Sequence, residues 1–288
     1  MSARTVTVSR AEAGCKLVDF LQRRVGEGVP RGAVMKWVRT GQVRVDGGRA
    51  KPFRKLREGE KVRIPPHTPA TREEKPRPPL EIVFQNEDVL AVAKPRGLPT
   101  QRGAGWNDSV ADRMRAMFPG ADYPPAPAHR LDKDTTGLLL AGRSHASQRW
   151  LHRLFEERGV GKRYLAWVAG KWPHSGETEV VDKLEKGAET GEMEKMRVTE
   201  SGREARAVVR PLLVREDATL VEVELLTGRT HQIRVQLASR GHPLLGDRKY
   251  GAPPHATPLM LHAWRLELPC YCLWLDPDWA PPHAWPTG

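Results

Sequence analysis

Six prolines fall within the fifteen residues 65–79, PPHTPATREEKPRPP, and no helix or central strand tolerates that density. Each proline fixes φ and removes a backbone donor, so the stretch reads as a semi-rigid linker. The chain is therefore expected to divide into a small unit, 1–64, and a larger one, 80–288. Charge divides at the same place. Residues 1–79 hold 19 Lys or Arg against 8 Asp or Glu, whereas residues 80–288 hold 28 against 27. Nearly all of the net charge of +12 thus sits in the first quarter of the chain. A basic appendage on a near-neutral body suits a polyanion-binding module; a merely soluble basic surface is the alternative that charge alone leaves open.

In the small unit, Leu17, Val18, Leu21 and Val25 recur at helical spacing, and Pro30 ends that helix. A second helix is expected from Ala33 to Thr40, stopped by Gly41. The period then falls to two at Val43 and Val45, Asp46-Gly47-Gly48 makes a tight turn, and Lys61–Ile64 supplies a second strand. Lys and Arg take the exposed positions, Lys36, Arg39 and Arg44 among them.

The larger unit is richer in strands than in helices. Strands are expected at 81–84 and 89–93 around the turn Asn86-Glu87-Asp88, and at 137–141, 163–169, 205–214, 219–226 and 259–268. Helices are expected at 109–117, 145–157 and 230–240. Strands close in sequence imply an α+β domain on a mixed, largely antiparallel sheet.

Several classes fall away. The longest apolar runs, such as Leu138–Ala141, are far too short to span a bilayer, and the N-terminus has no signal-peptide pattern, so a cytoplasmic protein without membrane contact is expected. Three cysteines, at 15, 270 and 272, form neither a disulfide framework nor a zinc site and are expected to be small buried hydrophobes. Trp274, Trp279 and Trp285 are likewise expected to pack.

Two stretches carry chemistry. In HRLDKDTTGLLLAG, 129–142, a polar cluster with two carboxylates runs into an apolar strand, which would hold Asp132 on a rigid element. Arg130 shares a face with Asp132 if the segment is extended, and a cation there favours the ionised carboxylate, a potential nucleophile. Composition alone equally allows a surface salt bridge. In LTGRTHQIRVQLASRGHPLLG, 226–246, Thr230 is a plausible N-cap, and Arg229, His231 and Arg234 gather at a helix start, ready to meet an anion from another element. A solvated basic face is the bland counterpart.

HRLDKDTTG and GRTHQIRVQL closely resemble the two signature motifs of the RluA-type pseudouridine synthases. Ala93–Leu98, Lys162–Ala166 and Leu261–Trp264 resemble further segments of that family, in family order, across about 80–268. The unit from Cys15 to Ile64, with VRTGQVRVDG as its diagnostic part, resembles the alpha-L RNA-binding module shared with a small-subunit ribosomal protein. The combination is most similar to the RluC branch, whose members modify large-subunit ribosomal RNA. The resemblance implies uridine-to-pseudouridine isomerisation, with structured RNA, ribosomal or in assembly intermediates, as partner to a monomeric enzyme. It makes Asp132 the nucleophile, Tyr164 the residue stacking on the target uracil, and Arg234 the cation pairing with Asp132. Arg130 would fill the gap left by the flipped base. Arg229, His231, Lys36, Arg39 and Arg44 would contact RNA. No metal or organic cofactor is implied, because the reaction involves neither redox nor hydrolysis. The second residue of the Thr135-Thr136 pair departs mildly from the family's usual Thr-Ser, and Pro99–Gly103 matches only loosely. Two other readings stay open on residues alone: Asp132 and Asp134 as Mg²⁺ ligands of an RNA-cleaving site, and an RNA-binding assembly factor without activity.

Overall fold

The structure is a computed structural model that describes residues 3–26, 28–67, 77–103, 106–187, 195–251 and 257–285. Most of the proline-rich segment, 68–76, lies outside the described residues, and so does the expectation of a linker there.

Before it comes a small α/β unit. β1 (Arg4–Thr7), β2 (Arg44–Val45) and β3 (Lys61–Ile64) form an antiparallel sheet in the order β1-β3-β2, flanked by α1 (Leu17–Val25) and α2 (Arg31–Arg39). The helical spacing read from the sequence does its expected work: Leu17, Val18, Leu21 and Val25 are all buried, with Phe20. Asp46 and Gly47 both adopt positive φ, 47° and 79°, the conformation of a two-residue hairpin turn. β1 escaped the sequence reading; it is a four-residue edge strand whose only signal is a short alternation.

The larger unit contains β4 (Glu81–Gln85), β5 (Val89–Lys94), α3 (Val110–Met117), β6 (Ala126–Pro127), β7 (Thr136–Gly142), α4 (His145–Glu156), β8 (Gly161–Ala169), β9 (Thr178–Lys186), β10 (Met196–Val198), β11 (Arg203–Val214), β12 (Ala218–Leu225), α5 (Gln232–Ala238), β13 (Leu261–Leu268) and β14 (Tyr271–Trp274). Its sheet runs β10-β9-β11-β12-β8-β13-β7-β5-β4, with β14 beside β13 and β6 beside β7. Pairings are antiparallel except for the seam between β7 and β13, where His262 faces Thr136 and Ala263 faces Gly137. The α+β expectation is met.

Both faces of β7 are covered, which explains its unbroken apolar run. Leu139 and Ala141 join the core under α3 and α5, whereas Leu138 and Leu140 join a second core under α4. At the seam the strands approach so closely that a Cβ on Gly137, whose φ is +110°, would lie 2.3 Å from the Ala263 carbonyl oxygen. Glycine is required there on both counts.

The two units are not merely tethered. Tyr123, from the loop after α3, is buried in the hydrophobic cluster of the small unit. Its hydroxyl donates to Gln148 of α4, and the Arg23 guanidinium lies 4.8 Å from its ring. Arg24 links Asp122 at 2.8 Å to the buried Glu12 of its own unit at 2.7 Å. An aromatic anchor is thus desolvated among side chains of the small unit, with ion pairs beside it.

Three smaller expectations need correcting. Cys15 is buried, but Cys270 and Cys272 are exposed, the first in the β13–β14 turn and the second on the outer strand β14. Trp279 packs, and Trp285 lies 5.7 Å from the Trp264 ring, yet Trp274 is 62% exposed on the outer strand β14. Thr230 does not cap α5. The capping position falls to His231, in the left-handed region at φ 53°.

Candidate active site

Asp132 lies in a turn immediately before β7, closed by the Thr135 N–H donating to the Asp132 carbonyl. The turn spans 132–135, so Arg130 enters from the stretch just before it. Arg130 is exposed and Asp132 half-buried, and both border the same two clefts.

The turn is held from below. Lys94, at the end of β5, is buried, and its ammonium donates to the carbonyls of Pro95, Leu98 and Lys133 at 2.7–2.8 Å. Burial lowers its pKa to about 7, against the pull of Asp134 and Asp132. The Thr100 hydroxyl exchanges hydrogen bonds with the backbone of Leu131. His129 accepts from the Leu140 N–H, and burial drives its pKa down to about 3, so its ring is a neutral brace. Thr136 donates to Nδ1 of His262, whose Nε2 donates to the Leu275 carbonyl. Both ring nitrogens are used, and burial lowers the pKa of His262 to about 4.

Opposite stands Arg234, on the first turn of α5. The sequence placed it one position off the apolar face; the structure buries it. Nε and Nη2 make a two-pronged bond to Asp247, each arm 2.8 Å, leaving Nη1 3.4 Å from Asp132 Oδ2. Asp247 is fully buried and also accepts the N–H groups of Lys249 and Tyr250. Burial alone would raise its pKa, but Arg234 and those two donors together hold it below the ordinary value. One arginine is thus locked by one carboxylate and presented to another.

Asp247 and Tyr250 were missed by the sequence reading. The Tyr250 hydroxyl accepts the Met196 N–H and is free to donate to His231 Nδ1 at 2.8 Å. His231 then turns Nε2 towards Asp132, 3.8 Å away. Burial lowers the His231 pKa more than Asp132 raises it. The available signal was Gly246-Asp247 directly after the apolar Pro243–Leu245, a lone carboxylate entering buried surroundings.

Asp132 sits where the two clefts meet. The larger, about 1230 Å³, carries Arg96, Arg102, Lys133 and Arg248. The smaller, about 610 Å³, is lined by Tyr164, Leu261, Lys162 and Arg229. Tyr164 is buried on β8, and burial first, then the charge of Asp132, raises its pKa, so the phenol stays protonated. A cleft whose lining combines an aromatic wall, a carboxylate and several cations can take a planar base from a polyanionic chain. Asp132, Tyr164, Arg234, Arg130, Arg229 and His231 all border these clefts. Lys36, Arg39 and Arg44 belong to the small unit, and no carboxylate among the described residues lies within ion-pair distance of them. Asp134 is exposed, and among the described residues no three His, Cys, Asp or Glu side chains gather to hold a metal ion. Among the same residues no helix is long and apolar enough to cross a membrane.

Residues 88–239 match the family model described as RNA pseudouridylate synthase, and the chain belongs to that family. It is 35% identical over 259 residues to the ribosomal large subunit pseudouridine synthase C of Escherichia coli, covering 87% of this chain and 80% of that protein. The protein of the same name from Haemophilus influenzae is 35% identical over 261 residues, covering 87% of this chain and 80% of that one. Among solved structures, human RNA pseudouridylate synthase domain containing 1 superposes with a TM-score of 0.57 at 28% identity, over 69% of this chain and 83% of that one. The human domain-containing-4 protein gives 0.56 at 26% identity, over 68% of this chain and 88% of that one.

Proposed function

We propose that this enzyme converts uridine to pseudouridine in large-subunit ribosomal RNA, with Asp132 as its nucleophile. The observation that carries the reading is the Asp132 carboxylate, open at the junction of two clefts, facing an arginine that Asp247 already holds. The reaction breaks the N1–C1′ bond, rotates the uracil, and forms the C5–C1′ bond; N1 gains a proton and C5 loses one. It needs a nucleophile, a slot for the rotating base, and means to extrude that base from its helix.

Tyr164 forms the wall on which the extruded uracil stacks. Arg234 complements the charge of Asp132 and keeps it aimed at the slot. Arg130, exposed at the mouth, is placed to occupy the gap in the RNA stack, where a guanidinium plane offsets part of the unstacking cost. Arg229 and His231 contact RNA at the rim of the smaller cleft. The small unit, read as an alpha-L type module, grips structured RNA through Lys36, Arg39 and Arg44, and the remainder, 80–288, is the catalytic domain. A cytoplasmic monomer acting on ribosomal RNA or its assembly intermediates completes the reading.

The test is to incubate the full chain with a large-subunit ribosomal RNA transcript and map pseudouridines by carbodiimide labelling and primer extension. Wild type should yield one or a few discrete sites, and Asp132→Asn should bind the RNA and yield none. Turnover by the Asn variant would remove Asp132 from the nucleophile's place.

A further inference from the structure

Lys162 and Arg163 are consecutive on β8 and point to opposite faces, and the structure treats them in opposite ways. Arg163 meets three carboxylates: Glu222 at 3.2 Å, Glu224 at 3.5 Å and Glu267 at 3.7 Å. Lys162 lies on the Tyr164 side, half-buried, with its ammonium 3.7 Å from where a Cβ on Gly228 would be. No hydrogen bond or ion pair engages that ammonium among the described residues. Burial lowers its pKa and Arg158 lowers it further, with no carboxylate opposing them. Lys94 shows what this chain does with a buried ammonium whose task is structural: three carbonyls receive it.

Two more cations border the same cleft. Arg158 follows α4 in the left-handed region, φ 59°, where glycine is the usual occupant. Arg229 gives its Nε to the Glu204 carbonyl, which steadies the guanidinium. A half-buried cation without a partner, beside two more in the lining of the same cleft, is a site lacking its anion.

We propose that Lys162, with Arg158 and Arg229, seats a backbone phosphate of the substrate RNA adjoining the nucleotide whose base enters the Tyr164 cleft. The proposal rests on the reading that this cleft takes the flipped uridine. A phosphate held there fixes the sugar relative to Asp132 while the base stays free to rotate. Lys162 is on this view a positioning residue, acting on the phosphate and not on the reacting atoms.

The experiment uses the full chain and a double substitution across the interface. After the modified uridine is mapped, RNA is made with a neutral methylphosphonate at the phosphate on either side of it, and Lys162→Met and Lys162→Arg are compared with wild type. Lys162→Met should weaken RNA affinity roughly tenfold and make the log–log salt slope shallower by about 0.7, the value for one phosphate contact on a single strand. Lys162→Arg should recover most of both. On one of the two methylphosphonate RNAs the wild type and the Met variant should bind alike. An equal loss on charged and neutral RNAs overturns the proposal, as does a lower kcat with unchanged affinity and slope. Absence of pseudouridine with wild-type protein would instead refute the function proposed above, leaving the salt slope to decide the role of Lys162.

Discussion

Replacing Asp247 with Asn tests whether the locked arginine matters to turnover. The substitution keeps size and leaves one oxygen able to accept from Arg234 and the Lys249 and Tyr250 N–H groups. It removes the negative charge and turns one arm of the 2.8 Å pair into an NH₂ facing a guanidinium. A hydrogen bond to a charged group contributes roughly 1.5–3 kcal/mol, and at this fully buried position the loss should approach the upper end. Arg234, no longer held on two atoms, should close on the only carboxylate left, Asp132, now 3.4 Å from Nη1. Asp132 would then be covered by its own counter-ion. Spending the same ~1.5–3 kcal/mol on the barrier lowers kcat about 10- to 150-fold, with RNA affinity within a few-fold of wild type. Single-turnover pseudouridine formation at saturating enzyme, with filter binding alongside, reads both. A folded Asn variant with wild-type kcat would show that Arg234 aims itself and that the reasoning from the lock is wrong.

Arg234→Met should abolish turnover and also lower stability by about 3–5 kcal/mol, because Asp247 is left buried and uncompensated; urea unfolding compares it with Asp132→Asn, which should unfold near wild type. His129 and His262 have folded pKa values depressed to about 3 and about 4 from 6.5, so the unfolded chain binds protons first as the solution is acidified. The contribution of these two rings should accordingly be full above about pH 6.5 and fall as pH drops through the window towards 4, by up to about 2.7 kcal/mol per pH unit, with His262→Gln flattening the slope in urea melts at pH 7, 6 and 5. Substituting Lys36, Arg39 and Arg44 together by Gln should reduce the log–log salt slope of RNA binding by about 2 to 3 while leaving single-turnover kcat at saturation unchanged. Removing the whole small unit is the poorer perturbation, because it would bare Tyr123.

The sequence was most informative where chemistry and local pattern coincide. HRLDKDTTGLLLAG contains the Asp132 turn and its buried strand side by side, and the helices and the expected strands follow their periodicities within a residue or two. It was least informative where partners come from far along the chain. Arg234 and Asp247 are 13 residues apart, yet nothing in their spacing reports that a buried fork joins them. Tyr123 is one aromatic residue in a loop; its insertion into the core of the other unit has no local signature. β9 and β10 were missed because charged side chains interrupt their alternation, and β14 because it is only four residues long. The exposed cysteines were misread for a related reason, since a turn and an outer strand have no interior to offer.

The seam between β7 and β13 also bears on when the enzyme comes into being. Asp132 is delivered by the front of β7, but that strand finds its parallel neighbour about 126 positions later, at His262. Parallel pairing over such a separation forms slowly, since loop closure precedes any contact that rewards it. As the ribosome releases the chain, the small unit and the β4–β5 hairpin can collapse early, whereas β7 stays open on one side. The carboxylate, the arginine and the aromatic wall come into register only after the segment ending at Leu268 has emerged. A truncated translation product would carry the basic surface without the assembled cleft.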